Sequence, residues 1–600
     1  MIDGYKNIFT EEQINTAKAL YKGLSEEQRL WLSGYLAGIN QSGVFSGNPL
    51  SENQKEEDSD QKTIESALSD SITVLYGTHT GNSKLVAERF AVAAQSKGVK
   101  IDLGSLADYK NRKLKEERNL LLVVSTHGEG EPPVSAEDFY GYIFGKKAPA
   151  LNSLNYSVVA LGDSSYINFC QTGKDIYSQL KKLGATNVSD LIELDVDFKD
   201  QLDAIFPGLI AAFSSANGSP GVFNHGEEDD KLASPDQWTE AEVLEKILLN
   251  GAGSHKETYH IEFDIEDKGL AYEPGDALEV IAKNNKELVH SVLHKLNIDE
   301  NELVTVANEE ITIKEALVSR FELTVLTPQV LKNYAGYAKN TKLDDLIGDV
   351  GLLKEYLYGH DFLDLINEYP VGINAAGLTG ILRKLPARLY SISSSYDYNP
   401  DEVHITVGAV RYQLNEREHN GLCSSFLADD INVGDDVLVR IKKNEGFRLP
   451  ENDAKVIMVG PGTGIAPFRS FLQQRENDGA PGDNWLFFGD QHFETDFLYQ
   501  SELLGYRSKG LLNSLDVAFS RDQEDKVYVQ HRLREKGQEV YKWLKDGAYV
   551  YLCGDKDNMA NDVKQELVRI LEIHGGLSTE DAYAYFKELR SSKRFQEDVY

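Results

Sequence analysis

The stretch Arg388-Leu389-Tyr390-Ser391-Ile392-Ser393-Ser394-Ser395 alternates polar and apolar side chains, as a half-buried β-strand does. Arg388 can bridge a pyrophosphate, Tyr390 can stack on the edge of a flat ring, and Ser391 can hydrogen-bond to a ring nitrogen. These residue types together suit a large flavin nucleotide. A plain serine-rich edge strand is the alternative, so the neighbouring stretches decide between the two readings.

Antiparallel strand patterns surround this stretch. Charged residues alternate with apolar ones from 257–264 through 272–278, which predicts an antiparallel barrel at about 233–450 that resumes at 382–395 and 404–412. Helical periodicity within 283–378 predicts a helical insertion in that barrel. Residues 421–427 place backbone N–H groups and serine hydroxyls at a helix start, which suits a pyrophosphate. Together with Arg388 they predict a dinucleotide site.

Four apolar runs, at 72–76, 120–124, 156–161 and 188–194, each lead into a loop and a helix-like segment. This order predicts an open parallel sheet, whose ligands bind beyond the carboxyl ends of the strands. The loop 77–83 gathers hydroxyls at a helix start and lacks the lysine of a triphosphate-binding loop, so it favours the phosphate of FMN. The loops 125–133 and 161–170 offer glycine and aromatic faces for its flat ring. Ordinary turn chemistry is the alternative for any one loop alone.

A second parallel pattern begins after residue 454. The apolar run 456–459 leads into Gly-Pro-Gly-Thr-Gly at 460–464, whose small residues let a pyrophosphate approach the backbone. Farther on, Arg521 and Lys526 lie among hydroxyl-bearing residues. An NAD site would offer a carboxylate to the ribose, whereas paired cations suit a 2′-phosphate, so NADPH is predicted. The alternative is that the two cations only balance the acidic residues around them.

Composition limits the remaining possibilities. A chain of 600 residues with 41% hydrophobic content is expected to form three or four domains. A net charge of −34 argues against nucleic acid or an anionic membrane as partner. No apolar run is long enough to cross a bilayer and the N-terminus lacks the form of a signal peptide, so a cytoplasmic location is predicted. Cys170, Cys423 and Cys553 show neither metal-ligand nor disulfide spacing, so no metal is predicted.

Two segments are predicted to be linkers because they are rich in glycine, serine and charge. The first follows a helical pattern in residues 1 to about 40. The predicted organisation is a helical segment and linker at 1–62, a parallel α/β domain at 70–212, a linker at 213–232, a barrel at 233–450 and a second parallel domain at 451–600.

The three loops of the first parallel domain resemble those of flavodoxins, and specifically those of diflavin reductases. His79 and His127 depart from that pattern, since the family more often has glutamine at these positions. The later motifs resemble the ferredoxin–NADP reductase-like module of the same family, so the resemblance covers about residues 70–600. Residues 31–38 and 593–600, with no membrane anchor, narrow the resemblance to the reductase components of bacterial assimilatory sulfite reductases. A soluble diflavin reductase serving another haem or cobalamin protein is the nearest alternative, and an acidic scaffold without turnover is the alternative of another class.

The resemblance implies a multidomain fold: a flavodoxin-like doubly wound domain, an FAD-binding antiparallel barrel with a helical insertion, and a ferredoxin–NADP reductase-like domain for NADPH. It implies that electrons pass from NADPH to FAD to FMN, with the linker 213–232 allowing the FMN domain to move. The implied acceptor is a hemoprotein beta-component with sirohaem and an iron–sulfur cluster, which reduces sulfite to sulfide for cysteine biosynthesis. The N-terminal helices would assemble a homo-oligomer of alpha subunits.

The resemblance also assigns residues to roles. The catalytic group would be Ser391, Cys553, Asp598 and Tyr600, and the terminal Tyr600 would stack on the FAD ring and move before nicotinamide enters. The FMN contacts would be Thr78, His79, Thr80, Gly81, Asn82, Ser83, Ser125, Thr126, His127, Gly128, Leu161, Gly162, Asp163, Ser164, Ser165, Tyr166, Ile167, Asn168, Phe169 and Cys170. The FAD contacts would be Thr324, Arg388, Leu389, Tyr390, Ser391, Thr406, Val407, Gly408, Tyr412, Gly421, Leu422, Cys423, Ser424 and Tyr600. The NADPH contacts would be Gly462, Thr463, Ser520, Arg521, Lys526, Val527, Tyr528, Val529, Gln530 and Asp562.

His79 motivates a separate hypothesis. If it lies near the FMN phosphate and titrates in its ordinary range, FMN retention tightens as pH falls. A neutral histidine that only hydrogen-bonds is the alternative.

Overall fold

The computed structural model describes residues 71–128, 130–216 and 238–600. The predicted helical segment and linker at 1–62, and most of the predicted linker at 213–232, lie outside these residues. The helix Leu202–Ala216 takes up the first residues of that second linker. It continues because Phe213, only 1% exposed, packs into the domain core, so the prediction ended this domain too early.

The first domain contains a six-stranded parallel sheet in the order β2-β1-β3-β4-β5, with β6 also paired to β4. Successive strand residues point to opposite faces, so Val74 and Leu75 enter two different hydrophobic cores. The strands are β1 (Ser71–Gly77), β2 (Lys100–Ser105), β3 (Asn119–Ser125), β4 (Asn155–Leu161), β5 (Thr186–Asn187) and β6 (Ile192–Leu194). The α-helices are Asn82–Ser96, Glu137–Phe144, Gln171–Lys182 and Leu202–Ala216, with short 3-10 helices at Asn111–Glu116, Val134–Ala136 and Phe198–Gln201.

The last predicted strand of this sheet, at 188–194, is wrong as a single element. Two short strands, β5 and β6, replace it because polar residues interrupt the run. Ser189 makes a hydroxyl–hydroxyl hydrogen bond with Ser157 (2.7 Å) and donates another to the carbonyl of Asp190.

The second domain is an antiparallel barrel with the strand order β12-β9-β16-β7-β8-β13. A bridge between Ile392 and Ile405 joins the two outer strands and closes the sheet. Alternate residues such as Ile261 and Phe263 fill its core. The predicted barrel is therefore confirmed. Its strands, with those of its insertions, are β7 (Thr239–Leu248), β8 (Thr258–Asp264), β9 (Ala277–Val280), β10 (Leu303–Val306), β11 (Glu309–Thr312), β12 (Arg388–Ser391), β13 (Glu402–Gly408), β14 (Arg411–Leu414), β15 (Arg417–Asn420) and β16 (Asp436–Lys442).

A helical insertion separates β9 from β12 and has its own core. It also contains the hairpin β10–β11, which the helical periodicity did not predict. The hairpin turns at Ala307 and Asn308, both in the left-handed region with φ of 50° and 67°. The helices of the insertion are Lys286–Leu296, Ile313–Ser319, Pro328–Ala338, Thr341–Gly348, Val350–Leu357, Phe362–Glu368 and Ala375–Ile381. After β15 the barrel adds the short helix Leu422–Ser425 and a π-helical turn, Phe426–Asp430.

The C-terminal domain is a five-stranded parallel sheet in the order β19-β18-β17-β20-β21. Its strands are β17 (Val456–Val459), β18 (Asn484–Asp490), β19 (Ser514–Phe519), β20 (Tyr549–Gly554) and β21 (Phe595–Val599). Its helices are the 3-10 turn Gly462–Ile465 and the α-helices Ala466–Asn477, Phe493–Asp496, Gln500–Lys509, Val529–Glu535, Gly537–Lys545, Met559–Gly575 and Thr579–Ser591. Among the described residues, no helix has the length and apolar character that crossing a membrane requires.

Candidate functional site

The loop after β1 is built to hold an anion. The helix Asn82–Ser96 starts at Gly81, which has a φ of 83° and gives no side-chain cap, so the first helical N–H groups stay available to a ligand. The hydroxyls of Thr78 and Ser83 are buried and have no hydrogen-bond partner among the described residues. An unsatisfied buried hydroxyl costs about 1–3 kcal/mol, so a phosphate at this loop would satisfy groups that the protein leaves unpaired.

Two further loops meet the first at the same end of the sheet. The rings of His79 and His127 lie 4.3 Å apart between centroids. Thr126 N donates to the carbonyl of Leu161 (2.9 Å), which joins the second loop to the third. The hydroxyl of Ser125 is another buried group without a described partner. The three predicted loops therefore form one site, and their residues fit FMN.

Only some side chains of the third loop are available to a ligand in this site. Asp163 Oδ1 accepts from both the N–H and the hydroxyl of Ser165. A Cβ on Gly162 would lie 2.8 Å from the backbone nitrogen of Cys170, so a larger residue does not fit there. Leu161 and Cys170 are buried, and the Cys170 thiol donates to the carbonyl of Ala160 (3.2 Å). Only the backbones of Leu161 and Cys170 are therefore left to contact FMN.

The ionisation state of the two histidines in this site does not match the hypothesis that His79 titrates in its ordinary range. Burial lowers the pKa of His79, and burial, with the neighbouring imidazole of His79, lowers the pKa of His127 to about 4. Both rings are therefore neutral near pH 7 and act as hydrogen-bonding groups.

The neutral state leads to a prediction for the double substitution His79→Gln with His127→Gln. Because burial lowers the pKa of both native rings below the ordinary histidine value, both are mostly neutral above about pH 6.5, and the ratio of FMN dissociation constants between variant and native protein stays constant within about twofold from pH 6.5 to 8. Fluorescence titration of FMN-depleted full-length protein measures both constants, and the ratio removes the titration of the phosphate itself. A ratio that rises steadily as pH falls would restore the hypothesis of a protonated His79.

Most of the predicted FAD residues lie on barrel strands or on the short helix that follows them. Arg388 lies on β12, and its guanidinium NH2 lies 3.1 Å from Glu322 Oε2. The hydroxyl of Ser425, on the short helix that follows Gly421, is buried without a described partner. Tyr412 donates its hydroxyl to the carbonyl of Gly359 (2.7 Å), which ties this part of the barrel domain to the insertion. An arginine and an unpaired hydroxyl at a helix fit a pyrophosphate, so the site fits FAD.

Some predicted FAD residues are engaged inside the protein. The Thr406 hydroxyl and the Tyr499 hydroxyl are hydrogen-bonded at 2.7 Å, a contact between the barrel and the C-terminal domain. The Ser424 hydroxyl accepts from Val410 N and donates to the carbonyl of Gly421. Burial raises the pKa of the Cys423 thiol to about 12. These side chains shape the pocket, and Val407 and Leu422 are likewise buried in the barrel core.

The four predicted catalytic residues lie together although they come from distant stretches. Ser391 Oγ donates to Asp598 Oδ2 at 2.6 Å, and Cys553 Sγ lies 4.0 Å from the same oxygen. Cys553 and Asp598 are paired in the register of β20 and β21. The terminal Tyr600 is 61% exposed, and its hydroxyl is hydrogen-bonded to that of Thr463 (2.7 Å).

The environment of this cluster favours uncharged groups. Burial raises the pKa of Asp598, opposed by the hydrogen bond from Ser391, and burial raises the pKa of Cys553 well above its ordinary range. The thiol therefore stays protonated at neutral pH, and a polar cluster with one titratable carboxyl group lies where the barrel meets the C-terminal domain.

The glycine loop 460–464 is packed against the cluster. A Cβ on Gly464 would lie 2.2 Å from the carbonyl oxygen of Cys553, so only glycine fits there. Gly462 has a φ of 58°, in the left-handed region. Farther along the sheet edge, Gln530 donates to Asp562 (3.0 Å), so two of the predicted NADPH residues contact each other. The loop fits the close approach of a dinucleotide backbone.

The predicted cations of the NADPH site are exposed. Neither Arg521 nor Lys526 has a side-chain ion pair among the described residues. Asp522 instead accepts from the ring of His492 and from Phe493 N. The alternative that the two cations balance nearby acidic residues is therefore not what the structure shows, and both remain available to a phosphate.

Two residues that sequence reasoning missed lie beside these pockets. Lys256, after β7, makes an ion pair with the buried Asp490 at 2.6 Å, next to Gly462 of the glycine loop. Glu322 contacts both Arg388 and Thr324. Both come from loops without a recognisable motif, so no local signal in the sequence pointed to them.

Side-chain contacts join the candidate FMN loops to the barrel and to the C-terminal domain. Asn82 of the first FMN loop accepts from Lys442 of the barrel (2.7 Å). Asp163 of the third loop pairs with Arg383 of the barrel domain at 2.9 Å. The ammonium of Lys556 lies 5.4 Å from the ring centre of Tyr166.

Comparison with known proteins agrees with this arrangement. The flavodoxin family model matches residues 74–206, the FAD binding domain model matches 233–426, and the oxidoreductase NAD-binding domain model matches 458–565. Similar proteins described as sulfite reductase (NADPH) flavoprotein alpha-component include one from Bacillus subtilis (strain 168), 44% identical over 99% of this chain and 98% of the relative. Another, from Aliivibrio fischeri (strain ATCC 700601 / ES114), is 40% identical over 98% of both chains, and one from Shewanella sp. (strain MR-4) is 42% identical over 98% of both.

Proposed function

The chain belongs to the family of sulfite reductase (NADPH) flavoprotein alpha-components, and on this premise we propose that it delivers electrons to a hemoprotein partner that reduces sulfite to sulfide. It is an NADPH-dependent flavoprotein oxidoreductase with the FMN-, FAD- and NADP-binding domains of a diflavin reductase. The predicted fold class, cofactors and activity are thereby confirmed. The partner, its sirohaem and iron–sulfur cluster, and the residue roles are proposals.

One observation carries the proposed electron route. Lys556 contacts both ends of the path: its N–H donates to the carbonyl of the terminal Tyr600 (3.3 Å), and its ammonium lies over Tyr166 of the third FMN loop. Lys556 therefore links the C-terminal residue proposed to cover the FAD site to the loop proposed to hold FMN.

The chain's own residues would orient the reactants. When bound, the flavins supply the step from two-electron to one-electron transfer, which side chains cannot provide. Asp598 holds the hydroxyl of Ser391 toward the proposed FAD site, and Tyr600, held by Thr463, covers the place where nicotinamide would enter. Tyr600 would have to swing away for NADPH to reach the cluster, and its exposure leaves it room to do so.

Arg383 is expected to matter for the internal step. It is 9% exposed and pairs with Asp163 at 2.9 Å and with Asp195 at 3.6 Å, so it ties the FMN domain to the barrel domain. Because a buried charge-assisted pair is worth about 1.5–3 kcal/mol, Arg383→Ala is expected to slow FMN reduction roughly 10-fold or more while FAD reduction keeps its rate. Anaerobic rapid mixing with NADPH separates the two phases.

The matched control is Lys384→Ala, which removes a more exposed pair with Asp197 (3.4 Å). Its effect on either phase is expected to stay under about twofold, since exposed pairs contribute about 0–1 kcal/mol. Equal slowing by the two variants, or none by Arg383→Ala, would show that this pair does not hold the domains together.

The proposed function is tested by adding a sirohaem hemoprotein, NADPH and sulfite to the purified full-length protein. We expect NADPH oxidation coupled to sulfide formation, with both lost when either protein is omitted. Reduction of dyes with no transfer to the hemoprotein would leave the flavoprotein activity but overturn the proposed partner.

Three further parts of the proposal concern subunit assembly, movement of the FMN domain and cellular location. Assembly of alpha subunits through residues 1 to about 40, and movement of the FMN domain on the linker that follows Ala216, involve residues outside the described ones. A cytoplasmic location is supported by Cys170, Cys423 and Cys553, which are all free and buried, as in proteins of reducing compartments.

A further inference from the structure

Glu322 joins two residues that the proposed FAD site contains. Its side chain is 0% exposed. Oε1 accepts from the N–H of Thr324 (2.8 Å) and from its hydroxyl (2.7 Å), while Oε2 accepts from Arg388 NH2 (3.1 Å). One buried carboxylate therefore fixes a loop residue before the helix Pro328–Ala338 and a strand residue on β12.

The charges explain why Arg388 is held. A buried carboxylate is tolerated only when it is paired and hydrogen-bonded, and Arg388 supplies the cation. The Arg388 side chain is 37% exposed, so part of the guanidinium is anchored inside while the rest faces the pocket. Its remaining N–H groups are thereby pre-oriented for phosphate oxygens, and less conformational entropy is lost when a ligand binds.

The same carboxylate decides whether the Thr324 hydroxyl donates or accepts a hydrogen bond toward a ligand. A hydroxyl has one proton to donate, and Thr324 gives it to Glu322. Its oxygen can then only accept from a ligand. The ligand group that Thr324 can bind is therefore a hydroxyl or an N–H group. The phosphate groups of the ligand are bound by Arg388.

We propose that Glu322 is a positioning residue for FAD, which holds Arg388 as a phosphate donor and Thr324 as an acceptor for a hydroxyl or N–H group of the same ligand. Glu322 itself does not touch FAD. This proposal rests on the proposed placement of FAD at Arg388 and Thr324.

The first test is Glu322→Gln in the full-length protein, depleted of FAD and titrated with FAD. The amide keeps the volume and lets its oxygen serve Thr324, but its NH2 group then faces Arg388, donor against donor. Because a hydrogen bond to a charged group contributes about 1.5–3 kcal/mol, the FAD dissociation constant is expected to rise roughly 10- to 100-fold. FMN content, measured on the same sample, is expected to stay at the native value.

A double-substitution cycle separates positioning from a general effect on the fold. In an Arg388→Ala background Glu322 is a buried anion facing the pyrophosphate without a cation. Adding Glu322→Gln there is expected to tighten FAD binding, the reverse of its effect in the native background. A purely structural role gives the same loss in both backgrounds and would overturn the proposal.

The outcomes distinguish the proposal from its premise. If Arg388→Ala and Thr324→Val leave FAD affinity unchanged, FAD is not placed at these residues and the role of Glu322 fails with that placement. If both weaken FAD but Glu322→Gln in the native background does not, the placement stands and the positioning role alone is wrong.

Discussion

Replacing Asp598 by asparagine is expected to slow the reduction of FAD by NADPH about 100-fold, because groups positioned for proton and charge stabilisation typically contribute 100- to 10,000-fold. Asp598 Oδ2 accepts the Ser391 hydroxyl at 2.6 Å and lies 4.0 Å from the Cys553 thiol. The amide of asparagine fills the same space but cannot ionise, so it loses the proton exchange and the charge that the titratable carboxyl group of Asp598 can supply. It also offers an NH2 group that turns the Ser391 hydroxyl away from its present direction.

Anaerobic rapid mixing with NADPH measures this rate directly in the flavin absorbance. Asp557→Asn is the matched control, since Asp557 is an exposed carboxylate in the loop after β20 and is expected to leave the rate within about twofold. Flavin content and NADPH affinity of Asp598→Asn should match the native protein. A native rate of FAD reduction in Asp598→Asn would remove Asp598 from the catalytic group.

The second large effect is expected from Arg521→Ala combined with Lys526→Ala. Both side chains are exposed and have no ion pair among the described residues, so a 2′-phosphate is the anion they can serve. Each charge-assisted contact to a phosphate is worth about 1.5–3 kcal/mol, so kcat/KM for NADPH is expected to fall roughly 100-fold or more. NADH lacks this phosphate, and its kcat/KM should change little.

Dye reduction with each nucleotide, measured on the same preparation, gives the ratio of the two kcat/KM values. Arg507→Ala is the control for a general loss of positive charge, because Arg507 is an exposed cation of the same domain on the helix Gln500–Lys509. For Arg507→Ala, the ratio of kcat/KM for NADPH to kcat/KM for NADH should equal that of the native protein. An equal loss for NADPH and NADH in the double variant would show that Arg521 and Lys526 do not read the phosphate.

The parts of the fold set by local patterns were predictable from the sequence. β3 is a run of apolar residues because it is buried on both faces, and the loop after it could be placed from that run alone. The interrupted strand at 188–194 and the hairpin β10–β11 were missed, since strands of two to four residues are too short to establish a period. The helix that contains Phe213 extends into a predicted linker. This extension was missed because the burial of Phe213 depends on tertiary packing.

The site was predictable only where a motif stands in one stretch. The FMN loops could be found from hydroxyls and glycines at successive strand ends. The contact between Ser391 and Asp598 joins residues 207 positions apart, so residue types alone could not reveal it and the family resemblance did. Glu322 and Lys256 belong to no motif, and their importance became visible only through the charges they pair with. The pKa of His79 likewise depends first on burial, which the sequence does not state.

The most direct test of the central claim is to extract the flavins from the purified full-length protein, separate them by chromatography, and titrate the intact protein anaerobically with NADPH. We predict FMN and FAD in equal amounts, one of each per chain, and both reduced by NADPH. A single kind of flavin, or a second flavin that NADPH cannot reduce, would contradict a route that enters at the C-terminal domain and leaves through the FMN domain.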